Sequence, residues 1–193
     1  VNGAVIIKEE KLIKQDPINN DIIEELMKDA KLNDMSVGMV GYDEENVTKI
    51  DDDILDAFNG FINKIPSVDP EFYKKNKVYQ LWAFKKDNEE LIKFANRHKK
   101  LNYYLWHHGG IDLVNPTSSK DQAIKYIMKS YKDYELICVG DGYNDLDMIK
   151  MADYGLLMAN SRHLEWAKDN NIRIAPHVDD DLLYDYFKSE KLI

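Results

Sequence analysis

The chain has 193 residues, and its 26 lysines and arginines against 35 aspartates and glutamates give a net charge of −9. Hydrophobic residues make up 44% of the chain, which suffices for a packed core and excludes global disorder. The acidic balance argues against a general nucleic-acid or anionic-membrane binder, because phosphate surfaces are bound by clustered cations. Apolar runs fall far short of the ~18 residues of a membrane span, and the single cysteine, Cys138, is typical of a cytoplasmic protein without disulfides.

Short strands and amphipathic helices are mixed in the first part of the chain. A hairpin is predicted to pair residues 4–7 with 12–13, and Asn20 or Asp21 is predicted to cap a helix that reaches Ala30. The acidic residues 51–53 open a second helix with Ile54, Leu55, Phe58, Phe61 and Ile62 on one stripe. Further strands are predicted at 35–40, 78–84, 101–106 and 111–114, and a helix at 88–98.

From residue 119 onward, helices and strands alternate strictly. Helices are predicted at 119–131, 144–151, 162–169 and 180–187, and strands at 136–139, 154–157 and 172–174. This order predicts an α/β fold with a parallel sheet covered by helices. With boundaries near Pro17 and Ile111, residues 1–17 and 111–193 form this core, and residues 18–110 form an inserted α+β domain.

The acidic loop at residues 140–148 (Gly-Asp-Gly-Tyr-Asn-Asp-Leu-Asp-Met) carries the clearest chemical signal. It follows an apolar strand, so Asp141 lies at the carboxyl end of the sheet, where open α/β sheets bind ligands. Asp145, four residues on, can point into the same crevice, and paired carboxylates suit Mg²⁺. Acidic residues that merely complement a helix dipole would explain Asp145 and Asp147, but not the glycines around Asp141.

Lys120 stands at the predicted start of the helix that precedes this strand. Its ammonium group can neutralise a phosphate or a carboxylate as a point charge. Most lysines at helix starts are simply solvated, so its interpretation depends on the acidic loop about twenty residues later.

Lys120 together with the loop resembles the third and fourth motifs of the haloacid dehalogenase-like phosphohydrolases. The start at residues 2–4 (Asn-Gly-Ala) and the run at 155–160 (Gly-Leu-Leu-Met-Ala-Asn) resemble the Cof-type branch, which carries a large inserted cap. The resemblance implies a Rossmann-like core and a Mg²⁺-dependent phosphatase acting on a small phosphorylated metabolite such as a sugar phosphate. It implies that Asp141 and Asp145 bind the metal, that Lys120 neutralises charge at the phosphate or nucleophile, and that the phosphate site is lined by Asn2, Gly3, Asn144 and Asn160.

The cap sheet of this family covers the active site, and the predicted strands here are rich in aromatic residues. Period-two alternation places Trp82 and Phe84 on one face of their strand, and Tyr104, Trp106 and His108 on one face of the next. These side chains either stack on a substrate or pack against the cap helices, and the sequence leaves both open. His107 and His108 are adjacent and point to opposite faces, so joint metal ligation is not expected.

The family's nucleophile lies in an Asp-x-Asp-Gly-Thr segment, which is absent from this sequence. The chain begins at Val1, where the resemblance expects an earlier segment to have passed. We therefore expect an N-terminally incomplete core whose 193 residues are inactive alone. A non-catalytic ligand- or partner-binding domain is the alternative, and self-association through the incomplete sheet is a further expectation. The phosphorylation domain of an ion-pumping ATPase shares the loop but does not match the Asn2-Gly3-Ala4 start.

Overall fold

The computed structural model describes residues 1–59, 65–106 and 108–193. Two compact units divide the chain into Val1–Ser119 and Lys120–Ile193. Phe61 and Ile62 of the predicted helical stripe, and His107, lie outside the described residues. The predicted domain boundaries near Pro17 and Ile111 stay a prediction, although the strand Gly110–Val114 pairs within a sheet of the first unit.

In its described residues, the first unit has a separate hairpin, a sheet of six strands and three α-helices. Its strands are β1 (Val5–Lys8), β2 (Lys11–Gln15), β3 (Ser36–Val40), β4 (Glu45–Val47), β5 (Ser67–Val68), β6 (Gln80–Phe84), β7 (Asn102–Leu105) and β8 (Gly110–Val114). Its helices are α1 (Asn20–Leu32), α2 (Asp52–Phe58) and α3 (Asn88–Arg97). The hairpin pairs β1 with β2, and the sheet order is β5-β4-β3-β6-β8-β7. Its pairs are antiparallel except for β4 with β5, so this unit has the predicted α+β character.

Side-chain hydrogen bonds cap the N-terminal ends of α1 and α2. Asn19 caps α1 by accepting a hydrogen bond from the Asp21 N–H at 2.9 Å, one residue before the predicted caps. Asp51 caps α2 through the Ile54 N–H at 3.1 Å, as the acidic triplet predicts. Leu55 is 43% exposed, so it lies off the apolar stripe on which it was predicted.

The two faces of the six-stranded sheet carry different cores. On one face, α1 and α3 contribute buried apolar side chains such as Leu26 and Leu91 to one hydrophobic cluster with the strands. The other face carries an aromatic cluster, which consists of Phe58, Trp82, Phe84 and Trp106 with ring centroids 5.1 to 6.2 Å apart. Gly38 gives the cluster room, since a Cβ there would lie 2.4 Å from Trp82 Cε3.

The second unit is a three-stranded parallel sheet with four α-helices. Its strands are β9 (Ile137–Gly140), β10 (Tyr154–Met158) and β11 (Arg173–Ala175), in the order β11-β10-β9. Its helices are α4 (Lys120–Met128), α5 (Leu146–Met151), α6 (Leu164–Asp169) and α7 (Leu183–Ser189). The predicted parallel sheet is thus confirmed, and no described helix is long and apolar enough to cross a membrane.

Truncation of the aromatic cluster should destabilise the first unit. Phe84 is fully buried and touches the other three rings, so Phe84→Ala should lower the free energy of unfolding by about 3–5 kcal/mol. Leu32→Ala is the matched control, because Leu32 is 86% exposed and should change it by less than about 0.5 kcal/mol. Urea unfolding measures the free energy of unfolding of both variants. Equal stability of the two variants would contradict this packing.

Candidate active site

The loop between β9 and α5 is folded around the carboxylate of Asp145. Asp145 is only 4% exposed, and its Oδ2 accepts hydrogen bonds from the N–H groups of Asp141 at 3.1 Å and Gly142 at 3.0 Å. Its Oδ1 accepts from Lys120 Nζ at 2.5 Å. A Cβ on Gly140 would lie 2.4 Å from the Cβ of Asp145, so the close approach of strand and carboxylate requires a glycine there.

Asp141 has the opposite environment and points to solvent. It is exposed, and its Oδ2 accepts a hydrogen bond from Asn160 Nδ2 at 3.0 Å. Asn160 follows β10, so this contact joins the two loops at the carboxyl end of neighbouring parallel strands. The loops after β9 and β10 therefore meet at one edge of the sheet.

Ser161, which sequence reasoning did not single out, ties the same loops together. Its buried hydroxyl donates to the backbone C=O of Asp141 at 2.6 Å and accepts from the His163 N–H at 3.1 Å. The ring of His163 in turn contacts Tyr143, with centroids 5.7 Å apart. No sequence motif marks a serine in this role, because its partner is twenty residues away in the chain.

The second unit thus brings together Lys120, Asp141, Asp145 and Asn160. Asn144 lies in the short 3₁₀ turn that contains Asp145. Asn2 and Gly3 belong to the first unit. Asn2 Nδ2 donates to Gln80 Oε1 at 3.1 Å and to Asp112 Oδ2 at 3.0 Å. The roles of these residues in binding phosphate or metal stay predictions.

Asp112 of β8 is the centre of a polar network in the first unit. Its Oδ1 accepts from Gln80 Nε2 at 3.0 Å and from the indole N–H of Trp106 at 2.7 Å, in addition to the contact with Asn2. No sequence pattern indicates this network, because its members come from separate segments and form no motif.

The side chains predicted to form a substrate surface differ in their burial. Trp82 and Phe84 are buried in the aromatic cluster, which accounts for them as packing residues. Tyr104 is half-buried and stands opposite Asp112 in the β7–β8 register. His108 is exposed and lines a cavity of about 370 Å³ with Asp56 and Lys86. Contact of these side chains with a substrate stays a prediction.

The environment of Cys138, in β9 below the loop, excludes a reactive thiolate. Cys138 is 4% exposed. Burial raises the pKa of its thiol above the ordinary value, and the negative charge of Asp145 raises the pKa further. A neutral, buried thiol is neither nucleophile nor metal ligand, so Cys138 is a core residue.

The oxygen atoms around Asp141 fit a hard divalent cation such as Mg²⁺. Asp141 offers an exposed carboxylate, and the adjacent Asn160 Oδ1 is buried without a hydrogen-bond partner. Both oxygens of Asp145 are already engaged by Lys120 and the backbone. No group of three or more His, Cys, Asp and Glu side chains suited to a metal occurs in residues 1–59, 65–106 and 108–193. Such a sparse set of oxygen donors is typical of Mg²⁺, which keeps several waters.

Comparison with known proteins identifies relatives along nearly the whole chain. A model of the haloacid dehalogenase-like hydrolases matches residues 1–186. The candidate phosphatase YkrA of Bacillus subtilis is 26% identical over 163 residues, which are 83% of this chain and 63% of that protein. The chain therefore spans less than two thirds of the length of this curated relative.

Solved structures share the fold over the entire chain. A hypothetical protein of Geobacillus kaustophilus has a TM-score of 0.85 at 21% identity, and this chain covers 75% of it. A sugar phosphatase of haloacid dehalogenase subclass IIB has a TM-score of 0.82 at 21% identity, with 74% covered. A phosphatase of Bacteroides thetaiotaomicron has a TM-score of 0.84 at 22% identity, with 72% covered. In all three matches 100% of this chain is aligned.

Removal of the Lys120 charge should weaken the second unit, because the buried Asp145 Oδ1 loses its cation. Lys120→Met removes the charge but keeps an unbranched side chain, and it should lower the free energy of unfolding by about 1–3 kcal/mol. Lys150→Met serves as the control, since Lys150 is exposed and no ion pair is found for it among the described residues. Urea unfolding of both variants checks this. A Lys120→Met variant as stable as the control would show that the ion pair does not support the loop.

Proposed function

Because the chain belongs to the haloacid dehalogenase-like hydrolase family, we propose that it functions in Mg²⁺-dependent hydrolysis of phosphoric monoesters, as a Cof-type phosphatase. The substrate proposed is a small phosphorylated metabolite such as a sugar phosphate, and the location proposed is the cytoplasm. The observation that carries the proposal is the loop geometry: the buried Asp145 carboxylate, paired with Lys120, supports the loop in which the exposed Asp141 lies beside Asn160.

Asp141 and Asn160 Oδ1 are the residues proposed to hold Mg²⁺. When bound, Mg²⁺ supplies a positive charge that offsets the charge of the phosphate and orients it. Asp145 is assigned a positioning role here rather than direct ligation, because its two oxygens are engaged by the loop and by Lys120. This refines the expectation that both aspartates bind the metal.

Lys120 supplies the second electrostatic contribution. Its side chain is 37% exposed, and its ammonium contacts the nearly inaccessible Asp145 carboxylate. We propose that the same ammonium also contacts a phosphate oxygen of the substrate. A phosphate oxygen that approaches there meets a cation already fixed in place, which lowers the reorganisation needed when charge develops on the phosphoryl group.

The nucleophile is the part that this sequence does not contain. Covalent phosphoryl transfer needs a nucleophilic group in line with phosphorus, and no Asp-x-Asp-Gly-Thr segment occurs in the 193 residues. We therefore propose that these residues alone bind Mg²⁺ without turning over phosphate esters. The absence of the Asp-x-Asp-Gly-Thr segment also favours a second candidate function, that of a non-catalytic domain that binds a ligand or partner.

Two measurements on the purified chain test this. With p-nitrophenyl phosphate and Mg²⁺, turnover should not exceed that of Asp141→Ala. In an NMR titration, Mg²⁺ should shift the amides of the loop, and Asp141→Asn should weaken this binding about tenfold or more. Asp147→Asn is the control, because Asp147 is equally exposed in the first turn of α5 and should bind as the wild type does.

The outcomes separate the proposals. Turnover that Asp141→Ala abolishes would contradict the inactivity of the chain and would place a complete catalytic set within it. Absence of Mg²⁺ binding in the wild type would contradict the phosphatase proposal and favour the binding domain. Equal weakening by Asp147→Asn would show that Mg²⁺ follows the general acidity of the loop.

A further inference from the structure

Two aromatic rings lie on the same pair of loops as Asp141 and Asn160. Tyr143, two residues after Asp141, is 64% exposed. Its ring contacts the half-buried ring of His163, with centroids 5.7 Å apart and planes inclined by 55°. Tyr143 belongs to none of the hydrophobic clusters found in residues 1–59, 65–106 and 108–193, so core packing does not account for its position.

The ring pair is fixed in place relative to the Asp141 carboxylate. The Ser161 hydroxyl donates to the Asp141 C=O at 2.6 Å and accepts from the His163 N–H at 3.1 Å. Because a fully extended chain spans at most about 7 Å over two residues, the Cα of Tyr143 lies within that distance of the Cα of Asp141. The two rings and the carboxylate therefore belong to one arrangement at the carboxyl ends of β9 and β10.

A second aromatic pair in the same unit shows that position distinguishes the first. Tyr134 is 69% exposed, and its ring contacts that of Tyr131 with centroids 5.6 Å apart. Tyr134 precedes β9 and so lies toward the amino end of that strand, whereas Tyr143 follows the carboxyl end. Open α/β sheets bind their ligands at the carboxyl ends of the strands. Of the two pairs, only that of Tyr143 and His163 lies where a ligand is expected.

We propose that Tyr143, supported by His163, contacts the leaving group of the phosphate ester, and that this leaving group contains a ring. The inference rests on the proposed phosphatase function, which places the phosphate of the ester at Asp141 and Lys120. An aromatic side chain offers a flat apolar face on which a ligand ring stacks with an offset. Aromatic rings and the C–H face of a sugar ring share the required flat surface, whereas an open-chain leaving group lacks it.

The conformational cost of this contact is low. A tyrosine side chain has only two rotatable torsions, so it provides a large contact area with little loss of side-chain entropy. The contact with His163 restrains the ring further before a ligand arrives. A preorganised surface of this kind favours binding because less motion remains to be lost.

An NMR titration of the purified chain in Mg²⁺ tests the inference with four phosphates. Inorganic phosphate and glycerol 3-phosphate carry no ring, phenyl phosphate carries an aromatic ring, and glucose 6-phosphate carries a sugar ring. All four should shift the amides of residues 140–145. At least one ring-bearing ester should bind about three- to tenfold more tightly than glycerol 3-phosphate and should also shift the ring signals of Tyr143 and His163. The ester that shows the gain identifies the kind of ring.

Variants of the two tyrosines make the result specific, with the affinity ratio of ring-bearing ester to glycerol 3-phosphate as the readout. Tyr143→Ala should lower this ratio to about one, and Tyr143→Phe should keep it because the aromatic face remains. Tyr134→Ala is the matched control, since it removes an equally exposed ring from the other pair and should leave the ratio unchanged. A general loss of stability would weaken all esters alike and would not change the ratio.

The outcomes separate this inference from the function on which it rests. Ring-bearing esters that bind no more tightly than glycerol 3-phosphate, or a gain that persists in Tyr143→Ala, would overturn the inference and leave the phosphatase proposal intact. A loop that responds to none of the four phosphates would overturn the phosphatase proposal, and the inference with it.

Discussion

The second unit depends on one interaction, the burial of the Asp145 carboxylate at the carboxyl end of β9. A buried carboxylate is costly unless hydrogen bonds and a cation satisfy it. Asp145 obtains two backbone N–H groups and the Lys120 ammonium. These partners fix the loop, set the start of α5 and hold the start of α4, so one charged group links three elements of the chain.

This arrangement separates two aspartates that the sequence presents as equivalent. Asp145 faces inward and supports the loop, while Asp141 faces solvent with Asn160 at its side. Ser161 fixes the backbone of Asp141 from the neighbouring loop, and Asn160 holds its carboxylate through a hydrogen bond. A rigid loop with a carboxylate directed outward can bind a cation with little loss of conformational freedom.

The sequence predicted the elements that depend on local pattern. The alternation after residue 119 correctly predicted the parallel sheet, and the glycines around Asp141 correctly indicated a tight loop after β9. Contacts between distant segments were missed: the Ser161 bridge and the Asp112 network join residues that share no motif. The helix predicted at 180–187 begins only at Leu183, because Asp181 adopts a left-handed conformation that interrupts the helical backbone.

A crystal structure of the chain with Mn²⁺, located by anomalous scattering, tests the central claim most directly. The account predicts an ion at Asp141 beside Asn160 Oδ1, with the Lys120–Asp145 pair intact at about its present 2.5 Å. An ion bound to Asp145 with Lys120 displaced would contradict the division between a supporting and a binding aspartate. A loop that binds no ion at all would contradict the proposed metal site.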